Sequence, residues 1–219
     1  MADHRDAMAE YYAQRASEYE RVYQKPERQS DLGKLKEVLS EAFAAEDVLE
    51  VACGTGYWTQ IIAHSARSIV ATDVNDEVLA IARHKDCGAC RVTFLKADAY
   101  SPADGHHGCT AGFHGFWWSH IPKPRISVFL RGFHAALPRG AQVVMIDNVY
   151  VEGSSTPISR RDEQGNSYQT RRLRDGSTHE ILKNFPSPAE LRETLQSSAD
   201  DVRMTSLQYY WMAQYRTRG

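Results

Sequence analysis

Two rhythms of apolar and polar positions divide the chain. Over residues 4–23, HRDAMAEYYAQRASEYERVY, aromatics at 11, 12, 19 and 23 recur among charges, which predicts an amphipathic helix stopped at Pro26. A second helix is predicted over 31–44, with Leu32, Leu35, Val38, Leu39 and Ala42 on one face. From residue 47 the pattern changes to short apolar runs alternating with helix-length segments. Strands are predicted at 47–52, 68–74 and 91–98, with helices at 57–66 and 76–85 between them. This alternation implies right-handed βαβ units and a parallel sheet. The second half continues with a strand at 109–118, a helix at 123–137 and a strand at 141–149. Residues 152–178 are polar, with scattered Gly and one Pro, and read as an inserted ribbon or lid. HEILKNF (179–185), a helix over 187–198 and a final segment at 202–216 close a count of seven strands in a single domain over 1–219. That domain divides into an N-terminal helical lid (1–45), a binding core (47–150), the insertion, and the last two strands (179–216).

Composition narrows the class. The chain has 219 residues, 42% hydrophobic and 25% charged, enough to bury a core without disulfides or metals. Its formal charge of −2 offers no large positive field, which disfavours nucleic acid as the main partner. MADHRDAMAEYY has no apolar signal region, and no run approaches membrane-spanning length, so no membrane partner is expected. Cys53, Cys87, Cys90 and Cys109 contain one metal-like spacing, Cys87 and Cys90, to which His84, His106 and His107 would have to add ligands. The preferred reading is a helix-to-strand turn with reduced thiols, in keeping with a cytoplasmic setting.

The chemistry concentrates in LEVACGTGYWT (49–59), where an acid lies in a strand just before a Gly-x-Gly turn. A phosphate-binding loop needs a Lys after Gly56, and there is none. A dinucleotide turn needs a third glycine where Thr59 stands. Glu50 would repel a pyrophosphate and attract a ligand carrying ammonium and sulfonium charges. Asp73 ends the second predicted strand, 17 residues after Gly56, where a carboxylate can accept two ribose hydroxyls. Asp98 ends the third in LKADAY. Three acids thus stand at the carboxyl ends of successive strands, where open α/β sheets bind ligands.

On these residues the chain resembles a class I (Rossmann-like) S-adenosylmethionine-dependent methyltransferase of the small-molecule type, by motif over about 47–150. The resemblance implies a seven-stranded, mostly parallel, doubly wound sheet with a reversed last strand and an N-terminal lid helix. It implies S-adenosyl-L-methionine as cofactor, with Glu50, Ala52, Cys53, Gly54 and Gly56 under the methionine and ribose. Asp73 and Val74 would hold the ribose, Asp98 and Ala99 the adenine, Phe116 a wall of the site, and Tyr19 and Arg28 the methionine end. Ala52 departs from the family pattern, in which a glycine often stands there.

The acceptor side is expected just past the fourth strand, in GFWWSHIP (115–122). Trp117 and Trp118 are candidates to stack on a planar substrate or to wall the cationic methyl donor. His120 is the candidate general base, because its ordinary pKa lies near neutrality. Asp147 and Asn148 are similar to the Asp-Asn pair of metal-dependent catechol-type enzymes. No acid stands near Gly115 to complete such a site, so no metal is expected and Asp147 is kept as a catalytic candidate. Asn148 and Tyr150 are candidate substrate contacts, as are Tyr11 and Tyr12 of the lid, with Arg15 beside them. Arg160, Arg161, Arg171, Arg172 and Arg174 read either as an acid-recognising group or as a solvated face beside Asp162, Glu163 and Asp175, the latter being preferred. The expected function is methyl transfer to N or O of a small, planar, aromatic or heteroaromatic metabolite. The alternatives are a protein or RNA methyltransferase and a non-catalytic, cofactor-binding partner subunit.

Overall fold

The computed structural model describes residues 4–102 and 108–218. Helix α1 (His4–Arg15) runs straight into a 3₁₀ segment, Ala16–Tyr23, and a short 3₁₀ turn at Pro26–Arg28 leads into α2 (Gln29–Ala42). The expected single helix over 4–23 is therefore two. The tighter three-residue turn sets Ala16, Tyr19 and Val22 on one face, which seats the aromatic stripe against the domain.

Strands β1 (Asp47–Val51), β2 (Ser68–Asp73), β3 (Arg91–Lys96), β4 (Ala111–Gly115) and β5 (Gln142–Asn148) pair in parallel. Helices α3 (Tyr57–Ile62), α4 (Asp76–Ala82) and α5 (Ile126–Ala135) make the crossovers. After α6 (Pro188–Leu195), opened by a capping box between Ser187 and Glu190, strands β9 (Ala199–Ser206) and β10 (Tyr210–Thr217) complete the sheet. The order is β3-β2-β1-β4-β5-β10-β9, with β10 antiparallel to β5. This is the seven-stranded, doubly wound sheet with a reversed last strand.

Successive residues of one strand point to opposite layers. Val48, Val144 and Ile146 join the core under α2 and α3, whereas Leu49, Val143 and Met145 join the core under α5 and α6. Burial on both faces explains why these strands read as continuous apolar runs.

The expected sixth strand belongs elsewhere. β6 (Arg160–Arg161), β7 (Ser167–Arg172) and β8 (Thr178–Leu182) form a separate antiparallel sheet. The ribbon thus extends past residue 178, because the Asp175-Gly176 turn, with Gly176 at φ 90°, folds HEIL back onto 168–172. The main sheet takes both its last strands from the final segment, which bends at 207–209 into a hairpin. Among the described residues no helix is long and apolar enough to cross a membrane.

Candidate functional site

β1 and β4 are neighbours although β2 follows β1 in sequence, so a crevice opens at their carboxyl ends. The chain after β1 turns sharply there, with Ala52, Gly54 and Gly56 all at positive φ (55°, 56° and 78°). Gly56 is the tighter case, since a Cβ there would stand 3.1 Å from Ala82 Cβ and 3.2 Å from its Cα. Gly56 therefore lets α4 pack against the turn, whereas a Cβ on Gly54 would meet nothing within 4 Å. Gly54 N–H donates to Asp73 Oδ2 at 2.9 Å, and Asn75 N–H donates to Asp73 Oδ1 at 3.0 Å, which locks the acid at the end of β2 against the turn.

Around this turn lies a cavity of about 250 Å³. It is lined by Glu50, Ala52, Cys53, Gly54, Asp73, Val74, Asp98, Ala99, Phe116 and Trp117, and roofed by Met8, Tyr12, Tyr19 and Tyr23 of the N-terminal segment. Glu50 is 1% exposed and its Oε2 has no hydrogen-bond partner. Burial, with the Asp73 charge adding repulsion, pushes its carboxyl up to about 8. A carboxylate in that position fits an incoming cation. The roof is tied down by Glu20, which accepts from Thr55 Oγ1 at 2.7 Å and pairs with Lys85 at 2.6 Å.

A second cavity of about 220 Å³ adjoins the first. The two share Tyr12, Tyr19, Tyr23, Phe116 and His120 in their walls. Arg15, Lys25, Arg28, Asn148, Gln169, Arg171, Lys183, Phe185 and Tyr210 are among the other residues that line the second. His120 is 6% exposed and fixed at both ring nitrogens. Its Nδ1 lies 2.8 Å from the Leu182 carbonyl, which only accepts, so Nδ1 carries the proton. Nε2 is then the acceptor for the Tyr12 hydroxyl, 2.8 Å away. Burial, helped by the Lys183 charge, lowers the His120 pKa well below its usual value and keeps the ring neutral. Beneath it Lys183 Nζ donates to Ser119 Oγ at 2.6 Å and to Asp147 Oδ1 at 3.2 Å. Burial brings Lys183 down to about 8, with Asp147 opposing the shift and Arg171 adding to it.

Several predicted residues fall outside the cavity walls. Asp147 is fully buried behind His120, accepting from Ser119 N–H at 2.9 Å and Asn148 N–H at 2.7 Å, and so anchors rather than touches a ligand. Burial alone would raise its pKa, but the Lys183 charge and the Ser119 and Asn148 N–H groups hold it lowered. Trp118 is core, packed edge-on against Trp211 and stacked on His114. Its neighbour Trp117 reaches the first cavity beside Tyr100 but not the second. Tyr11 is 2% exposed, packs on Leu173 and Ile181, and accepts from Arg15 Nη1 at 3.0 Å. Arg28, expected at the methionine end, lines the second cavity instead, and Tyr150 sits 37% exposed against Phe185. Arg171 is no part of a solvated face, unlike Arg160 and Arg174, which pair with Glu180 and Glu18. Lys183 had no local signal beyond a lysine ending the apolar run of HEILK.

Cys87 and Cys90 are free thiols in a turn closed by Cys90 N–H donating to the Cys87 carbonyl at 3.2 Å. His106 and His107 lie outside the described residues, among which no group of three His, Cys, Asp or Glu gathers for a metal.

Comparison with known proteins places this geometry. A family model described as a methyltransferase domain matches residues 48–140. No curated protein matches the chain. Among solved structures, the DhpI–SAH complex is 28% identical with a TM-score of 0.79, covering 97% of this chain and 96% of that one. The DhpI–SAM–HEP complex is 28% identical at a TM-score of 0.77, covering 99% of both chains. The PH0226 protein from Pyrococcus horikoshii OT3, 15% identical at 0.73 and covering 92% of this chain and 99% of that one, shares the fold.

Proposed function

This chain is a class I S-adenosylmethionine-dependent methyltransferase, and from that premise we propose that it methylates an oxygen or nitrogen of a small acceptor held in the second cavity. The observation that carries this reading is the common wall: Tyr12, Tyr19, Phe116 and His120 face both cavities, so two ligands would meet there. S-adenosylmethionine, when bound, supplies an electrophilic methyl group on a cationic sulfur. The residues fit it: Glu50 offers a buried, unpartnered oxygen for the ammonium group, Gly54 leaves open space, and Asp73 is held rigid for the ribose. Asp98 and Ala99 are proposed beside the adenine, and Val74, 53% exposed, at the ribose edge.

The chain's own part in the chemistry is then placement and dryness. The N-terminal roof excludes water, and Phe116, Tyr12 and Tyr19 hold the acceptor against the donor. His120 Nε2, reached through the Tyr12 hydroxyl, is the proposed proton acceptor for a substrate that arrives with a proton to lose. Asp147 and Lys183 position that histidine. Ring faces from Tyr12, Tyr19, Phe185 and Tyr210, in place of Trp117 and Trp118, support a planar acceptor. The cover over both cavities favours a small molecule above a protein or an RNA.

Calorimetric binding of S-adenosylmethionine to the wild type and to Asp73→Ala tests the reading. The substitution should weaken binding about tenfold to a hundredfold. A wild type that does not bind overturns it. Tight binding with no S-adenosylhomocysteine formed from a metabolite pool would favour the non-catalytic subunit instead.

A further inference from the structure

The second cavity has an unbalanced charge. Arg15, Lys25, Arg28, Arg171 and Lys183 line it, and no Asp or Glu does. Two of these cations have a partner: Lys183 faces Asp147 at 3.2 Å and Lys25 lies 3.9 Å from Glu27. Arg15, Arg28 and Arg171 form no ion pair with any described acid. Arg171 Nε and Arg28 Nε are moreover buried without a hydrogen-bond partner. A guanidinium N–H withdrawn from water and left unpaired is costly, so native structures rarely leave one without a ligand in prospect.

Arg171 is also held ready. It projects from β7, and its Nη2 donates to Gln169 Oε1 at 2.7 Å. Gln169 is 1% exposed and is itself tied to the Thr156 carbonyl at 2.5 Å. The planar fork is thereby aimed before any ligand arrives, the arrangement that suits bidentate recognition of an oxyanion. Above it Tyr12 and His120 mark the passage to the first cavity.

We infer that the acceptor is a small organic anion, whose carboxylate or phosphate group is seated by Arg171 and Lys183 at the inner end of the second cavity. Calling this ligand the acceptor rests on the methyltransferase reading; the anion site itself rests on the acid-free, cation-rich lining and the two unpartnered guanidinium N–H groups. Arg15 and Arg28 flank the group and complete its neutralisation. The aromatic walls take the rest of the molecule, so planarity and negative charge are compatible demands on one substrate.

The test uses three planar probes differing in their head group: phenyl phosphate, benzoate and benzyl alcohol. Each is titrated calorimetrically into the whole protein, with and without S-adenosylhomocysteine. One or both anions should bind, and the alcohol at least about tenfold more weakly; which anion binds better identifies the head group. Arg171→Met should weaken anion binding about tenfold or more while S-adenosylhomocysteine binding stays within about twofold. Arg160→Met, on the same small sheet but outside the cavity, should change neither. Equal binding of alcohol and anions overturns the inference, and so does anion binding that survives Arg171→Met. The wild-type comparison alone decides the matter should the variant fail to fold. Loss of S-adenosylhomocysteine binding counts against the methyltransferase reading only, because the anion titrations are also read without it.

Discussion

At Glu50 two demands meet in one carboxyl group. Folding buries it without a full set of partners, which favours the protonated form, while a cationic ligand needs it charged. With the folded value at about 8 and an ordinary one of 4.5, the native state holds more protons than the unfolded chain between these limits. Stability of the ligand-free protein therefore falls as pH rises from about 4.5 to 8, by a few kcal/mol at most. Glu50→Gln should flatten that slope in urea titrations across this window, and an unchanged slope would refute the assignment. Binding of S-adenosylmethionine at pH 7 should release close to one proton in the wild type and none in the variant. Calorimetry in buffers of different ionisation enthalpy reads that proton directly. Glu50, Asp73 and Asp98 were legible in the sequence because each lies within two residues of the carboxyl end of a strand, beside a turn. Arg171 and Lys183 were not: Lys183 pairs with Asp147, 36 residues earlier, and Arg171 reaches the site only because β7 is folded against the N-terminal segment.

The N-terminal segment is the element on which both cavities depend. Neither α1 nor the 3₁₀ stretch after it belongs to the sheet, yet Tyr12, Tyr19 and Tyr23 are roof to one cavity and wall to the other. Glu20 joins this segment to the glycine turn through Thr55 and to the turn that follows α4 through Lys85. Its partners are partly exposed, so the ion pair should contribute under about 1 kcal/mol to global stability. Glu20→Ala is accordingly predicted to leave the urea midpoint nearly unchanged while weakening S-adenosylmethionine binding by roughly threefold to tenfold. Equal losses in both measurements would make Glu20 a plain structural contact. The sequence announced the aromatic stripe of this element but not its change of helical pitch, which is set by docking against the domain.

For the whole molecule, the site depends on how closely the helical layers approach the sheet. Gly132 in α5 lies against the loop after β3, where a Cβ would fall 2.0 Å from the Tyr100 carbonyl oxygen. That loop carries Asp98 and Ala99 into the first cavity. Gly132→Ala must push helix and loop apart, at a cost of about 1 to 3 kcal/mol or more, although alanine is the better helix former. The expected result is a lower melting temperature together with weaker cofactor binding. A stabilised variant would mean that the layers are not in contact at this point.

The parallel core, the succession of its βαβ units and the three acids near the strand ends follow from the linear chain. Those features are written in local periodicity, in turn chemistry and in residues that act within a few positions of a glycine. The folding of distant segments onto one another set the rest. It assigned Thr178–Leu182 to a second sheet, turned Trp118 into core and set Asp147 behind the site. It also gathered Arg15, Arg28, Arg171 and Lys183, from opposite ends of the chain, around one cavity. A strand's partner, a side chain's choice of layer and the sum of charge in a cavity are all set by residues distant in sequence, and no local pattern records them.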